Sequence, residues 1–396
     1  MSFTHRLLGS PFLSHGFRPF FFLAGAWGAL ALPVFLASFA GLWLPPLAFD
    51  PIAWHSHEML FGFAGAALAG FLLTAVPNWT GRLPLKGGPL LALVGLWLLA
   101  RLVTTALGDL GPTVVVPAVL AFPAVLLFVF LREIVVGKAW RSLPLLAGLT
   151  LFLLADFTLL AETYDILDVD GIGARLGLSV FAALITLMGG RLVPSFTINW
   201  LKAHGETSLP PGFGAFDRFA LLTAVAALLA WLFMPAAWQV AVLLALAALL
   251  NALRLARWRG WRTGPEPLLW VLHLGYLWLV VGYAMLAASV ASEAVPQAAA
   301  LHTLGTGAIG TMILAVMSRA TLGHTGRALH AGPGLTSAYL LMSAAALLRI
   351  ASAMTDDSSI ALLWGAAVAW VGALLLFLVI CGPMMVRPRA DKSAAA

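Results

Sequence analysis

Charge is scarce in this chain and cysteine almost absent. Only 10% of the 396 residues are Asp, Glu, Lys or Arg, while 62% are hydrophobic. A soluble domain carries about 25% charged residues, so the composition excludes a water-soluble globule and marks a membrane protein. The single cysteine, Cys381, excludes a disulfide framework, a CxxCH cofactor attachment and a thiolate metal cluster. The net charge of +6 does not call for a nucleic-acid partner, and none is expected. Basic excess in a membrane protein belongs to its cytoplasmic loops.

Long apolar runs are what the chain has instead. A run of about twenty residues crosses a hydrocarbon core ~30 Å thick. Twelve are present, near 18–40, 55–78, 87–107, 114–135, 142–163, 174–198, 216–234, 237–256, 267–290, 297–317, 335–354 and 360–385. The first is longer than the 7–15 residues of a signal-peptide core. Although Ser38-Phe39-Ala40 resembles a cleavage site, the segment reads as a retained helix. No extramembrane stretch is long enough for a separate domain. The expectation is an all-α polytopic membrane protein: residues 1–396 as one integral-membrane domain of twelve transmembrane helices.

The loops alternate in charge. One set holds Arg82 and Lys86; Arg132, Lys138 and Arg141; Lys202 and Arg218; Arg254, Arg257, Arg259 and Arg262; Arg319 and Arg327. Arg6 and Arg18 at one terminus and Arg387, Arg389 and Lys392 at the other belong with it. The opposite set holds Asp50, Asp109, Asp165, Asp168, Asp170, Glu293, Asp356 and Asp357, with Arg175 its one basic residue. Basic loops stay in the cytoplasm, so both termini are expected there, in a multi-pass protein of the bacterial inner membrane.

Against this background a few polar residues stand out. The stretch Asp50–Phe63 reads DPIAWHSHEMLFGF and puts His55, His57 and Glu58 at the outer end of the second span. His302 lies about five residues into the tenth span, or about 8 Å down at 1.5 Å per residue. His273 lies about six residues into the ninth from the other side. His15, His324 and His330 fall at the inner surface, and His5 and His204 in polar inner segments. Ionisable groups inside a bilayer cost roughly 2.5–3.5 kcal/mol on insertion scales and usually have a partner. For His302 and His273 that partner is either a neighbouring helix or a bound group. His55 and His57 point about 200° apart on a helix. Either His55 belongs to the preceding loop or the two serve different partners.

The second and tenth spans resemble each other. His57, Gly62, Gly65, Ala75 and Thr80-Gly81-Arg82 recur as His302, Gly307, Gly310, Ala320 and Thr325-Gly326-Arg327, at identical offsets. A duplicated helix with a histidine at the same depth suggests two helices facing one site. Neutral imidazole suits haem iron, copper and zinc, and bundles hold such groups between histidines of facing helices. Glu58 is then a proton carrier, and with Asp156 and Glu162 of the fifth span it would line a path from outside. At the inner side His15-Gly16-Phe17-Arg18, Arg82, Gly190-Arg191 and Gly323-His324-Thr325-Gly326-Arg327 collect guanidinium groups. These suit propionate, phosphate or quinone headgroups, or else simply anchor the helices by the positive-inside rule.

The stretches HGFRPFF (15–21), WHSHEMLFGF (54–63), GFLLTAVPNWTGR (70–82), GRLVPSFTIN (190–199), HLGYLWLVVG (273–282) and HTLGTGAIGTMILAVMSRATLGHTGR (302–327) together resemble the NnrS family of bacterial membrane proteins. The resemblance covers nearly the whole chain. It implies a twelve-helix protein that contains haem, and copper, and takes part in the response to nitric oxide. It does not itself assign metal ligands.

Depth then ranks the ligands. His57 and His302 come first for haem or metal, His55 next as a second-metal or loop residue, and His273 fourth. Arg82 and Arg327 lie too far inward for an outer haem, so propionates there would belong to a second haem near His15, His273 or His324, with Arg18 and Arg191 alongside. The expectation is one or two b-type haems, with copper as a further metal. Nitric oxide would be reduced to nitrous oxide with electrons from a quinol or a partner protein. A haem-based sensor, scavenger or nitrosyl-metal handling protein is the alternative, and a transporter the third. Two equal halves would set a repeat six spans apart, whereas these two spans are eight apart.

Overall fold

The computed structural model describes residues 8–355 and 359–390. His5, Arg6, Asp356, Asp357 and Lys392 lie outside the described residues. The described residues are predominantly helical, with no strand among them. Twelve helices are long and apolar enough to cross a membrane: α1 Phe17–Phe39, α2 Pro51–Thr80, α3 Gly88–Thr105, α4 Pro112–Val136, α5 Trp140–Thr163, α6 Ile172–Ala203, α7 Ala215–Phe233, α8 Trp238–Arg257, α9 Pro267–Ala291, α10 Gln297–His324, α11 Pro333–Met354 and α12 Ile360–Val386. Each corresponds to one apolar run of the sequence. Large apolar side chains on their outer faces are bare, as at Phe128, Val368 and Val379. In water that would be a liability, but against lipid it is the favoured arrangement.

Local chemistry sets the helix ends. Asp50 caps α2, its carboxylate accepting from Ile52 N at 2.9 Å and Ala53 N at 3.1 Å, with Pro51 at the first helical position. This pairing of acceptor cap and proline suits a helix start. Glu266 and Pro267 open α9 in the same way. Gly81 and Gly326 close α2 and α10 at φ 70° and φ 76°, a left-handed conformation glycine adopts without strain. The shared Thr-Gly-Arg is therefore a helix terminator used twice.

The helices α2, α6 and α10 run past the apolar windows of the sequence. At 30, 32 and 28 residues they reach about 42–48 Å at 1.5 Å per residue, longer than a hydrocarbon core ~30 Å thick. Each widens into a π-helical stretch: Glu58–Phe63 in α2, Ile185–Gly189 in α6 and Thr303–Gly310 in α10. In α2 and α10 the stretch begins on the residue after the histidine. The likeness of the two helices thus extends from sequence to backbone. Such stretches free carbonyls from the i→i−4 ladder and recur at functional sites.

The chain divides into two compact units. The first comprises α1–α5, the start of α6 through Gly177, residues 320–328 at the end of α10, and the end of α12 from Phe377. Its apolar core includes Ala31, Val34, Trp54, Val103, Val119 and Leu160. The second comprises residues 178–319 and 329–376, with Trp231, Leu244, Leu279 and Met342 fully covered.

Candidate functional site

In the first unit, α2 brings His57 and Glu58 into the interior, where both are completely buried. The His57 ring lies between two carboxylates: Nδ1 is 2.9 Å from Glu58 Oε1 and Nε2 is 3.0 Å from Asp156 Oδ1 on α5. Glu58 in turn accepts from Trp27 Nε1 at 2.7 Å, Arg101 Nη1 at 2.6 Å and Thr104 Oγ1 at 2.9 Å. The set joins α1, α2, α3 and α5. Two carboxylates balance one guanidinium and one imidazolium, which makes burial in a membrane tolerable. An imidazole needs two N–H groups to donate to both acids. The set therefore holds one exchangeable proton, on the ring or on an acid.

Glycine makes room for this. A methyl group at Gly62, inside the π-helical stretch, would stand 2.3 Å from Arg101 Nη1, 2.7 Å from Glu58 Oε2 and 2.7 Å from Trp27 Nε1. His55 is helical too and faces elsewhere, its ring stacked on Phe35 at 4.2 Å between centroids. Of the alternatives the sequence leaves open, different partners for His55 and His57 is the one observed. Glu162 stays apart from the set, accepting from Gly173 N at 3.2 Å at the opening of α6.

In the second unit His302 is half-buried. Its Nδ1 lies 2.8 Å from the carbonyl of Ala298. A carbonyl only accepts, so Nδ1 carries the proton and the lone pair of the neutral ring is on Nε2. At Gly305, half-exposed in the π-helical stretch of the same helix, an added methyl would meet no atom within 4 Å. His273 is enclosed: Nε2 is 2.9 Å from Thr197 Oγ1, Trp258 stands at 6.4 Å between ring centroids, and a methyl at Gly260 would sit 2.4 Å from Nδ1.

The arginines singled out in the sequence are partly committed. Arg18 is 3% exposed and donates to the carbonyls of Met385 at 2.7 Å and Arg387 at 2.6 Å, closing the end of α12. Arg82 pairs with Glu133. Arg191 lies over the Phe213 ring at 5.6 Å, and Arg327 reaches the carbonyl of Thr325 at 3.4 Å. The rings of His15 and His324 flank Phe17 at 6.2 and 5.5 Å. Partial burial, then the charges of Arg18, His324, Arg389 and Lys86, holds the pKa of His15 below its ordinary value.

The NnrS protein family matches residues 11–389 of the chain. The chain belongs to the NnrS family. That membership makes it a nitric-oxide-related membrane protein. A search of curated proteins gave no match. For a family member expected to hold haem, the two leading histidines differ in fitness. His302 shares one feature of ligating histidines, a ring nitrogen tied to a backbone carbonyl, here Nδ1 to Ala298 at 2.8 Å. His57 does not share it, because each of its nitrogens is engaged by a carboxylate. Among the described residues no three His, Cys, Asp or Glu side chains stand together as a metal-binding group.

Several residues that build these sites were missed in the sequence. Arg101, in LWLLARLV, is a charge inside an apolar run, four residues before the end of α3 at Thr105, and such a charge needs a partner. Arg254 reads as a loop anchor but is fully buried, bonded to Asp217 at 3.1 Å, Asn251 at 3.1 Å, Tyr276 at 2.8 Å and the carbonyl of Thr186 at 3.3 Å. The π-helical stretch of α6 includes Thr186. Gly190 lies so close that a methyl there would overlap Arg254 Nη2.

Proposed function

We propose that this NnrS-family chain is a haem-binding protein of the bacterial inner membrane that removes nitric oxide by reducing it to nitrous oxide. Two nitric oxide molecules, two electrons and two protons give one nitrous oxide and one water. Haem, when bound, would supply an iron at which nitric oxide binds and is reduced. His302 is the ligand ranked first in this reading, supported by its depth in α10 and by the bond that ties its Nδ1 to the Ala298 carbonyl. A second haem, and copper, remain part of this reading, with His15 and His324 around Phe17 as the residues nearest to a second imidazole pair. The electrons would come from a quinol or a partner protein.

The observation that carries the reading is the Asp156–His57–Glu58–Arg101 set. A sensor or scavenger needs no protons, whereas a reductase consumes one for every nitric oxide. In this reading the set stores a proton where water is excluded, with Arg101 donating to Glu58 at 2.6 Å. Asp156 and Glu58 flank the ring, so a proton can leave on one side and be replaced on the other. His57 is thus read here as a proton holder, with Glu58 and Asp156 as its exchange partners.

Two variants test the division of labour. Purified wild-type protein should show a Soret band, and His302→Ala should remove or shift it. His57→Gln should keep the band and slow nitric oxide consumption by ~10²–10⁴-fold, the usual worth of a positioned acid or base. A colourless, metal-free wild type would overturn the haem reading. Loss of haem in His57→Gln with retention in His302→Ala would reverse the assignment.

A further inference from the structure

The first unit holds a cleft with no part in the account above. It encloses about 250 Å³ at the ends of α2 and α4 and the loop leading to α3. Leu73, Val76 and Phe130 wall it, and Arg82, Lys86, Arg132 and Glu133 line its mouth. Glu133 pairs with Arg82 and stands 3.4 Å from Arg132 Nη1. Lys86 has no ion-pair partner among the described residues. Three cations against one carboxylate leave the mouth positive. His15 lies within electrostatic reach of Lys86 on one side and of Arg18, His324 and Arg389 on the other. The positive charge therefore extends beyond the mouth, and Arg18 Nη1 donates there to carbonyls rather than to an acid.

Apolar walls below a positive mouth at the end of a membrane helix suit one chemical class. We propose that this cleft binds an anionic phospholipid, with an acyl chain between Val76 and Phe130 and the headgroup phosphate held by Lys86 and Arg132. A neutral quinol would use the walls and gain nothing from the charge. Inorganic phosphate would use the charge and gain nothing from the walls. Each Lys or Arg beside an anionic headgroup is worth roughly a fivefold gain in binding, and basic pockets between transmembrane helices are known homes for such lipids.

Native mass spectrometry of the purified full-length protein, titrated with phosphatidylglycerol or phosphatidylcholine of the same chains, reads this directly. Phosphatidylglycerol should be retained about tenfold or more over phosphatidylcholine. In Lys86→Gln/Arg132→Gln that preference should be lost. Val129→Trp, which fills the cleft from its lining without changing charge, should weaken long-chain lipid and spare short-chain phosphatidylglycerol. Both variants are compared at matched thermal midpoints. Equal retention of the two lipids by the wild type overturns the proposal without recourse to any variant. Competition by inorganic phosphate as effective as that by long-chain phosphatidylglycerol would make it a free-anion site. Displacement by a quinone but not by phosphatidylglycerol would make it a quinone site.

Discussion

His57 is the residue on which most depends, and its chemistry follows from what surrounds it. Removing the ring leaves Asp156 buried without its partner, and breaking a buried pair from one side costs about 3–5 kcal/mol. His57→Ala should therefore lower the thermal unfolding midpoint clearly, while His204→Ala, whose ring is stacked on Trp200 at 3.9 Å near the surface, should leave it unchanged. His15 behaves differently. Its folded-state pKa lies below the ordinary value near 6.5, so the unfolded chain binds the extra proton first. Stability should be full above about pH 6.5 and decline as pH falls below it. A thermal-midpoint series from pH 8 to 5 checks this: the decline should be shallower in His15→Asn. The depth of His57 in its helix could be read from the chain, and so could its nearness to Glu58. That both nitrogens are taken by acids could not, because Asp156 is 99 residues away and only helix packing brings it there.

At the scale of the element, the π-helical stretches explain what hydropathy could not. Apolar windows register composition and are blind to a widened turn, so α2, α6 and α10 are read as ordinary spans and too short. What could be seen was the matching offset of glycines in α2 and α10, and those glycines fall within or just past the widened backbone. Their roles diverge. Gly62→Ala would drive a methyl into Arg101, Glu58 and Trp27 and should cost about as much as breaking the buried pair, 3–5 kcal/mol. Gly305→Ala meets no atom within 4 Å and should be neutral or stabilising by ~0.5–1 kcal/mol, the helix advantage of alanine. Thermal midpoints of the two variants, measured side by side, decide it; equal loss in both would show that helix flexibility, and not the cluster, needs glycine at Gly62. Arg101 and Arg254 make the complementary point. A charge in an apolar run announces a partner, but the partner's identity is tertiary information: Glu58 lies one helix away and Asp217 on a preceding helix.

For the whole molecule, charge alternation across the loops is legible in the sequence because lipid imposes it on every span. The expectation it carries is that both termini lie in the cytoplasm. A fluorescent protein fused after the last residue should therefore glow, and alkaline phosphatase at the same position should be inactive; the converse would invert the topology. The division into two compact units is not legible, since all twelve spans look alike in composition. Family membership relates the chain to nitric oxide, and in the function proposed here turnover is the claim that separates a reductase from a protein that only binds the gas. Purified, reduced protein, held without oxygen and supplied with an excess of electron donor, should consume nitric oxide over many turnovers and release one nitrous oxide for every two molecules consumed. A single stoichiometric uptake with no nitrous oxide would contradict the account.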